Sequence, residues 1–173
     1  MRPNRDRRVP NRQPVRLVLV RHARAGHKRA WTGPDDVRPL DRVGERHAIA
    51  LAALLKDVPA TLLLSSPTRR CLQTLAPLAS ALDRTIETTD ALGPLAAPDG
   101  VVAMLDDPAY DGAIICTHGE VMRPVLDVLL TRGLRDLDGL ANRRRLLTKG
   151  SAWDITTTEG GRVAGFRHLD PTR

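Results

Sequence analysis

The chain has 173 residues and a formal net charge of +7. This length suits one compact domain with a core of its own. Two tryptophans, one tyrosine and one phenylalanine are too few for a surface that stacks nucleic-acid bases. Two cysteines argue against a disulfide framework, and no apolar run reaches the roughly 18 residues of a membrane helix. We therefore expect a soluble, cytoplasmic protein that does not engage a membrane.

Residues 1–14 form a basic N-terminal tail with five arginines and a single aspartate, so they supply +4 of the net charge. The tail has no apolar run, which argues against a signal peptide or an anchor. Its proline, asparagine and arginine content predicts disorder and leaves residues 15–173 as the folded domain. Weak attraction to nucleic acid or to acidic surfaces is the alternative role for the tail.

Arg21 and His22 end an apolar, β-branched run, Leu17–Val20, that predicts a short buried strand. Ligands of open α/β sheets bind just beyond the carboxyl ends of the strands. The pair therefore lies where a ligand would bind. Taken alone, it also fits a strand that ends in solvated polar residues.

Two later strands end in the same kind of side chain. Ala113–Thr117 is followed by His118 and Gly119, and Leu62–Leu64 is followed by a polar stretch that contains Arg70. Because the carboxyl ends of parallel strands meet at one edge of a sheet, the three strands predict a single site.

The predicted helices alternate with these strands. Asp41 caps a first helix with an apolar stripe at Val43, His47, Ala50, Leu51 and Leu54. Ser66 as cap and Pro67 as first helical residue open a second helix, which continues to Leu82.

The remaining predicted elements are a short strand over Arg84–Thr88, helices over 98–106 and 120–130, and a hairpin of strands at 151–157 and 162–168. This alternation predicts an α/β fold: a three-layer αβα sandwich whose central sheet is mostly parallel with an antiparallel edge.

Arginines and histidines at one site suit a phosphoryl group. Guanidinium groups match phosphate oxygens in charge and geometry, and a histidine ring nitrogen can act as the nucleophile. Metal binding is the competing interpretation of the paired histidines. It fits poorly, because neighbouring arginines repel a cation and no cluster of carboxylate or cysteine ligands accompanies them.

Three motifs follow the predicted strands in order: Arg21-His22-Ala23, then Ser-Pro-Thr-Arg-Arg-Cys-Leu-Gln-Thr over 66–74, then His118-Gly119. Together they resemble the histidine phosphatase superfamily, which has a phosphoglycerate mutase-like fold, and its short SixA-like phosphohistidine phosphatase branch. Cys71 replaces the usual alanine of the second motif. Segments at 25–28, 38–41 and 149–153 also look like the phosphatase domain of actinobacterial hydrolases that carry a Nudix domain.

The resemblance implies a phosphohydrolase without metal or cofactor. His22 would be the nucleophile that becomes phosphohistidine, and Arg21, Arg70 and His118 would surround the phosphoryl group. The implied substrate is phosphorylated: a phosphohistidine protein or, alternatively, a small-molecule or nucleotide phosphate.

The general acid of many members is missing, since Pro94 occupies its position in Leu92-Gly93-Pro94. Imidazole leaves with a conjugate-acid pKa of about 6.5, so phosphohistidine needs no strong acid, whereas an alkoxide does. Glu120 is a substitute acid next to the third motif, and Lys28 is a candidate for attracting an acidic substrate, as is Arg24. Acids at 95–107 are further alternatives: Asp99, Asp106 and Asp107.

A non-catalytic module is the rival hypothesis. It would bind phosphate, or bind nucleic acid through the tail and the basic cluster Arg143–Arg145. The intact set of Arg21, His22, Arg70 and His118 argues against a degenerate enzyme.

Overall fold

The computed structural model describes residues 13–134 and 143–172, without the side chains of 143 and 144. The tail up to residue 12 therefore lies outside the described residues, and within the basic cluster at 143–145 only the side chain of Arg145 is described. The strands are β1 (Arg16–Arg21), β2 (Leu62–Ser65), β3 (Glu87–Thr88), β4 (Ala113–Thr117), β5 (Ala152–Thr157) and β6 (Val163–Leu169). The helices are α1 (Arg42–Leu55), α2 (Arg69–Leu82), α3 (Pro98–Met104), α4 (Gly119–Thr131) and α5 (Arg143–Leu146). In this part of the chain, no helix is long and apolar enough to cross a membrane.

The six strands form one sheet in the order β3-β2-β4-β1-β5-β6. The first four run parallel, and β5 and β6 add the antiparallel edge. In register, Arg21 of β1 lies beside Thr117 of β4, and Ser65 of β2 lies beside Cys116. The carboxyl ends of β1, β2 and β4 therefore meet at one edge, as predicted.

Helices cover both faces of the sheet, which confirms the three-layer αβα architecture. Alternate side chains of β1 point to opposite faces: Val18 and Val20 pack with α1 and α2, whereas Leu17 and Leu19 pack with α3 and α4. Continuous apolar strands such as Ile114-Ile115 are typical of parallel strands that are buried on both faces.

Three predicted details are wrong. The buried face of α1 is Gly44, Ala48, Leu51, Ala52 and Leu55, about one residue along from the predicted stripe, and Leu54 is exposed. A Cβ on Gly44 would lie 1.9 Å from the carbonyl oxygen of Arg24, so close packing against the loop after β1 selects this face. Asp41 does cap α1, accepting from the amides of Val43 and Gly44.

The second correction concerns the start of α2. The helix begins at Arg69 with Thr68 as its cap, rather than at Pro67 with Ser66 as the cap, because the Ser66 hydroxyl lies against His118 instead. The third is β3, which covers only Glu87–Thr88 of the predicted strand.

Candidate active site

A cavity of about 600 Å³ opens at the carboxyl edge of the parallel strands. It contains five of the six residues predicted for the site: His22, Arg70, His118, Lys28 and Glu120. The full lining is His22, Lys28, Asp35, Asp36, Arg38, Pro67, Thr68, Arg70, Asp90, Gly93, Pro94, Leu95, His118 and Glu120. A volume of this size is typical of small-molecule sites.

His22 lies directly after β1 and is only 7 % exposed. Its Nδ1 is 2.7 Å from the carbonyl oxygen of Ala23, and because a carbonyl can only accept, Nδ1 carries the proton. Burial is the largest cause that lowers the pKa of His22 to about 3; the nearby Arg70 and Arg21 act in the same direction, and the hydrogen bond with Ala23 O opposes them. The ring is therefore neutral at physiological pH and keeps a lone pair on Nε2.

The backbone around His22 is fixed from two sides. The His22 amide donates to Thr117 O of β4, and the Gly150 amide lies 3.1 Å from Arg21 O and 3.2 Å from His22 O. Gly150 has a φ of +86°, a conformation that favours glycine. The Lys149-Gly150 segment thus clamps the end of β1 from across the fold.

His118 is buried next to His22, with ring centroids 5.1 Å apart. Its Nδ1 lies 3.4 Å from Nη2 of Arg70, which can only donate, so Nδ1 accepts and Nε2 carries the proton. The Nε2 proton faces three acceptors: Ser66 Oγ at 3.0 Å, Thr68 Oγ1 at 3.4 Å and Cys71 Sγ at 3.5 Å. These contacts hold the imidazole in one orientation.

The Cys71 that departs from the family motif therefore lies against a candidate catalytic histidine. Burial raises the pKa of its thiol, but hydrogen bonds to Cys116 and His118 outweigh burial and lower the pKa to about 5. Both cysteines are free and buried. Cys71 thus contacts His118 in addition to packing in the core between the sheet and α1 and α2.

Arg70 lies in the first turn of α2 with 2 % of its surface exposed. Its Nη1 donates to the Asp35 carbonyl oxygen at 2.6 Å, and Nη2 forms an ion pair with the Asp35 carboxylate at 3.2 Å. Its Nε is buried without a hydrogen-bond partner among the described residues.

Arg21 is the one predicted site residue that does not line the cavity. Its Nη1 donates to the Leu147 carbonyl oxygen, and its guanidinium packs on Gly119 so closely that a Cβ there would lie 2.7 Å from Cζ. Its Nε is also buried and unpaired within the described part of the chain. The glycine of the third motif therefore makes room for the arginine of the first.

In the loop between β1 and α1, sequence reasoning singled out Lys28 but missed the site roles of Asp35 and Arg38. Asp35 contacts Arg70, and also Arg38 at 2.9 Å and Lys28 at 3.9 Å. Arg38 is itself buried and donates to Ala25 O. The loop has no apolar periodicity, and apart from the resemblance of segments 25–28 and 38–41 its sequence signal is its content of charged residues.

The acids are arranged differently from the expectation. Pro94 does line the cavity, together with Glu120 and the unanticipated Asp90. Asp106 is paired with Arg132, and Asp107 accepts from the Ala109 amide. Neither these two nor Asp99 lines the cavity.

Arg24 is likewise turned away from the cavity, since it pairs with Asp41, the cap of α1, at 2.7 Å. Among the residues described, no group of three or more histidine, cysteine, aspartate or glutamate side chains is arranged to hold a metal ion.

A family model described as histidine phosphatase superfamily (branch 1) matches residues 17–96, which include the first two motifs. Residues 17–96 therefore carry the sequence pattern of the histidine phosphatase superfamily, in agreement with the expected resemblance. The expected enzyme class, a phosphatase, is confirmed at the level of this family.

A curated relative, the 8-oxo-(d)GTP phosphatase of Mycolicibacterium smegmatis, is 33 % identical over 160 residues. The match covers 90 % of this chain but 48 % of the relative, so the chain spans about half of that protein's length.

Solved structures share the fold. The protein histidine phosphatase SixA complexed with tungstate is 21 % identical, covers 91 % of this chain and 98 % of its own, and has a TM-score of 0.68. A structure named as the phosphohistidine phosphatase SixA from Agrobacterium tumefaciens is 22 % identical, covers 88 % and 97 %, and has a TM-score of 0.69. These similarities confirm the predicted phosphoglycerate mutase-like fold.

Proposed function

We propose that this protein is a phosphohydrolase that works through a phosphohistidine intermediate on His22 and needs no metal. The observation that carries the proposal is the state of His22: a buried, neutral imidazole whose Nδ1 proton is held by Ala23 O, beside a second histidine and a buried arginine. This arrangement suits nucleophilic attack by Nε2.

In the first step Nε2 of His22 attacks phosphorus, and the electron pair of the broken bond leaves with the departing group. Arg70, and Arg21 from outside the cavity lining, stabilise the charge on the phosphoryl oxygens, and His118 donates to one of them its Nε2 proton, which also faces Ser66 Oγ at 3.0 Å. Water then attacks the phosphohistidine, which releases inorganic phosphate and restores neutral His22. The arginines supply the positive charge that a metal ion provides in other phosphoryl-transfer enzymes.

Substrates with good leaving groups fit this site best, because Pro94 stands where an acid would protonate a poor one. Two classes qualify. Phosphohistidine is favoured by the shared fold with SixA. Nucleotide phosphates are favoured by the 33 % identical 8-oxo-(d)GTP phosphatase, since a departing phosphate has a second pKa of about 6.

Trapping the intermediate tests the proposal. The protein is incubated with a ³²P-labelled aryl phosphate in EDTA, quenched, and split into acid and alkaline samples. We expect an acid-labile, alkali-stable label on His22, and its absence in His22→Ala. Full turnover by His22→Ala, or loss of labelling in EDTA, would contradict it.

The leaving group is tested with a substrate panel of phosphohistidine peptide, nucleoside di- and triphosphates, aryl phosphate and phosphoglycerate. The alkyl ester is expected to react about 10²–10⁴-fold more slowly, the contribution that general acid catalysis typically supplies. Glu120→Gln and Asp90→Asn, compared side by side, identify any carboxyl that assists. Equal rates on alkyl and aryl esters in the wild type and in both variants would refute the missing-acid argument.

A further inference from the structure

The Asp35 carboxylate occupies the positively charged wall of the cavity. One of its oxygens lies 3.2 Å from Arg70 and 3.9 Å from Lys28, and the other accepts from Arg38 at 2.9 Å. Burial raises the pKa of Asp35, but the Arg38 hydrogen bond and the neighbouring cations outweigh burial and hold the pKa below its usual range. The carboxylate is therefore an anion held by three cations.

Arg70 meets the Asp35 carboxylate through Nη2, since Nη1 donates to the Asp35 backbone carbonyl oxygen. Both of its Nη atoms already contact Asp35, and Nη2 also lies against His118. Phosphoryl oxygens compete for the same N–H groups, so a substrate that reaches Arg70 loosens or displaces the Asp35 carboxylate.

Displacement of Asp35 has a consequence for the rest of the wall. Lys28 and Arg38 would lose their counter-ion beside the reacting phosphoryl group. Arg38 is nearly buried, and an uncompensated buried charge is costly. A second phosphoryl group in the same substrate would replace the lost carboxylate, whereas a monophosphate would not.

We propose that Lys28, Arg38 and Arg70 form a two-phosphate subsite and that the substrates are pyrophosphoryl compounds. This proposal rests on the proposed phosphatase activity. The terminal phosphorus bonds to Nε2 of His22, the bridging P–O bond breaks, and its electron pair stays on the departing phosphate. That phosphate rests on Lys28 and Arg38 in place of Asp35. Its low basicity agrees with the proline at position 94.

Binding of inorganic pyrophosphate and inorganic phosphate to the full-length His22→Ala protein tests the subsite without turnover. By calorimetry at low salt we expect pyrophosphate to bind at least about tenfold more tightly than phosphate. Adding the Lys28→Ala substitution should weaken the binding of pyrophosphate about fivefold and the binding of phosphate much less. Arg29→Ala is the matched control, because Arg29 is the next residue, carries the same charge and does not line the cavity. Equal affinity for both ions, or an equal loss with Arg29→Ala, would overturn the subsite.

Asp35→Asn tests displacement separately. If the carboxylate competes with the ligand, the variant should bind pyrophosphate several-fold more tightly; weaker binding would mean that Asp35 positions the cations, and displacement would be wrong.

The catalytic proposal fails separately. Tight, Lys28-dependent pyrophosphate binding in a protein that forms no phosphohistidine leaves the subsite standing, whereas a phospho-His22 enzyme without pyrophosphate preference leaves only the phosphatase.

Discussion

Two carboxylates in this molecule bridge arginines, and the contrast between them separates scaffold from site. Asp154 of β5 is 5 % exposed and accepts hydrogen bonds from Arg16 of β1 and Arg167 of β6. Asp35 is 34 % exposed, lies on a loop and contacts Arg70 beside two histidines.

The backbone explains the difference. The three residues of the Asp154 cluster, Arg16, Asp154 and Arg167, come from neighbouring strands whose ladders fix their spacing. The cations around Asp35 come from a loop and from a helix end, next to a cavity and a neutral imidazole. The same ion-pair chemistry is thus structural where strands fix it, and open to ligand exchange where a loop carries it.

Two glycine substitutions give the largest expected difference between these regions. Gly119→Ala would force a Cβ to within 2.7 Å of the Arg21 guanidinium, and we expect kcat/KM for an aryl phosphate to fall about 10²-fold. Gly165→Ala, beside the Asp154 cluster, places a Cβ 3.7 Å from Thr156, an ordinary contact, and should leave kinetics within about twofold. Wild-type kinetics in Gly119→Ala would show that activity does not depend on the observed position of the Arg21 guanidinium.

Neutralising the two carboxylates should affect stability in the opposite order: the change at Asp154 should cost more than the change at Asp35. Asp154→Asn is expected to lower the free energy of unfolding by about 2 kcal/mol at pH 7, because hydrogen bonds to charged groups in a buried position are lost. Asp35→Asn should cost less than about 1 kcal/mol, since its ion pairs are more exposed. Urea denaturation of the three proteins measures both values.

The Asp154 effect should depend on pH in a defined direction. Burial raises the pKa of Asp154, but the hydrogen bonds from Arg16 and Arg167 outweigh it, so the folded-state pKa lies below the unfolded value near 3.9. The stabilisation is therefore complete above that unfolded value and is lost as the pH falls through the folded pKa. The gap between wild type and Asp154→Asn should close in this acid range and stay constant between pH 5 and 8. A gap that shrinks at neutral pH would contradict the assignment.

His22 offers a second pH test, on the cavity side of the comparison. Its folded-state pKa of about 3 lies below the usual 6.5, so below pH 6.5 the unfolded chain binds a proton that the folded protein excludes. Wild type should lose stability relative to His22→Ala as the pH falls from 6.5 towards 4. By NMR, the His22 ring should not titrate between pH 8 and 5. A midpoint near 6.5 would remove the basis for a permanently neutral nucleophile.

The smallest expected effect concerns the two cysteines. Cys71→Ala removes one of the three acceptors facing His118 Nε2, and we expect kcat to fall about two- to fivefold at pH 7. Because the pKa of Cys71 is about 5, the difference from wild type should diminish as the pH falls through that value. Cys116→Ala is the control, since Cys116 hydrogen-bonds to Cys71 and, among the described contacts, not to His118. The same kinetic loss in both variants would reduce Cys71 to a packing residue.

The sequence by itself predicted a mostly parallel sheet with an antiparallel edge, the three strands whose polar ends meet at one edge of it, and five of the residues that line the cavity. Apolar runs that stop abruptly at Arg21, at Ser65 and at His118 are local signals, and parallel strands necessarily bring their carboxyl ends to one edge. The buried face of α1 could not be obtained in this way. The predicted stripe is about one residue off, and the close approach of Gly44 to the loop after β1 selects the observed face.

Only the tertiary structure decided how the site residues are paired. Ser66 contacts His118 rather than capping α2, and Asp35 contacts an arginine 35 positions away. Arg21 packs on Gly119, outside the cavity lining. Such contacts follow no periodic pattern in the sequence. They form only when the helices pack on the sheet and bring a particular loop against a particular strand end. Residue propensity and spacing predict which polar side chains follow the end of a strand. Only the packing of the folded chain decides which residue each of them contacts.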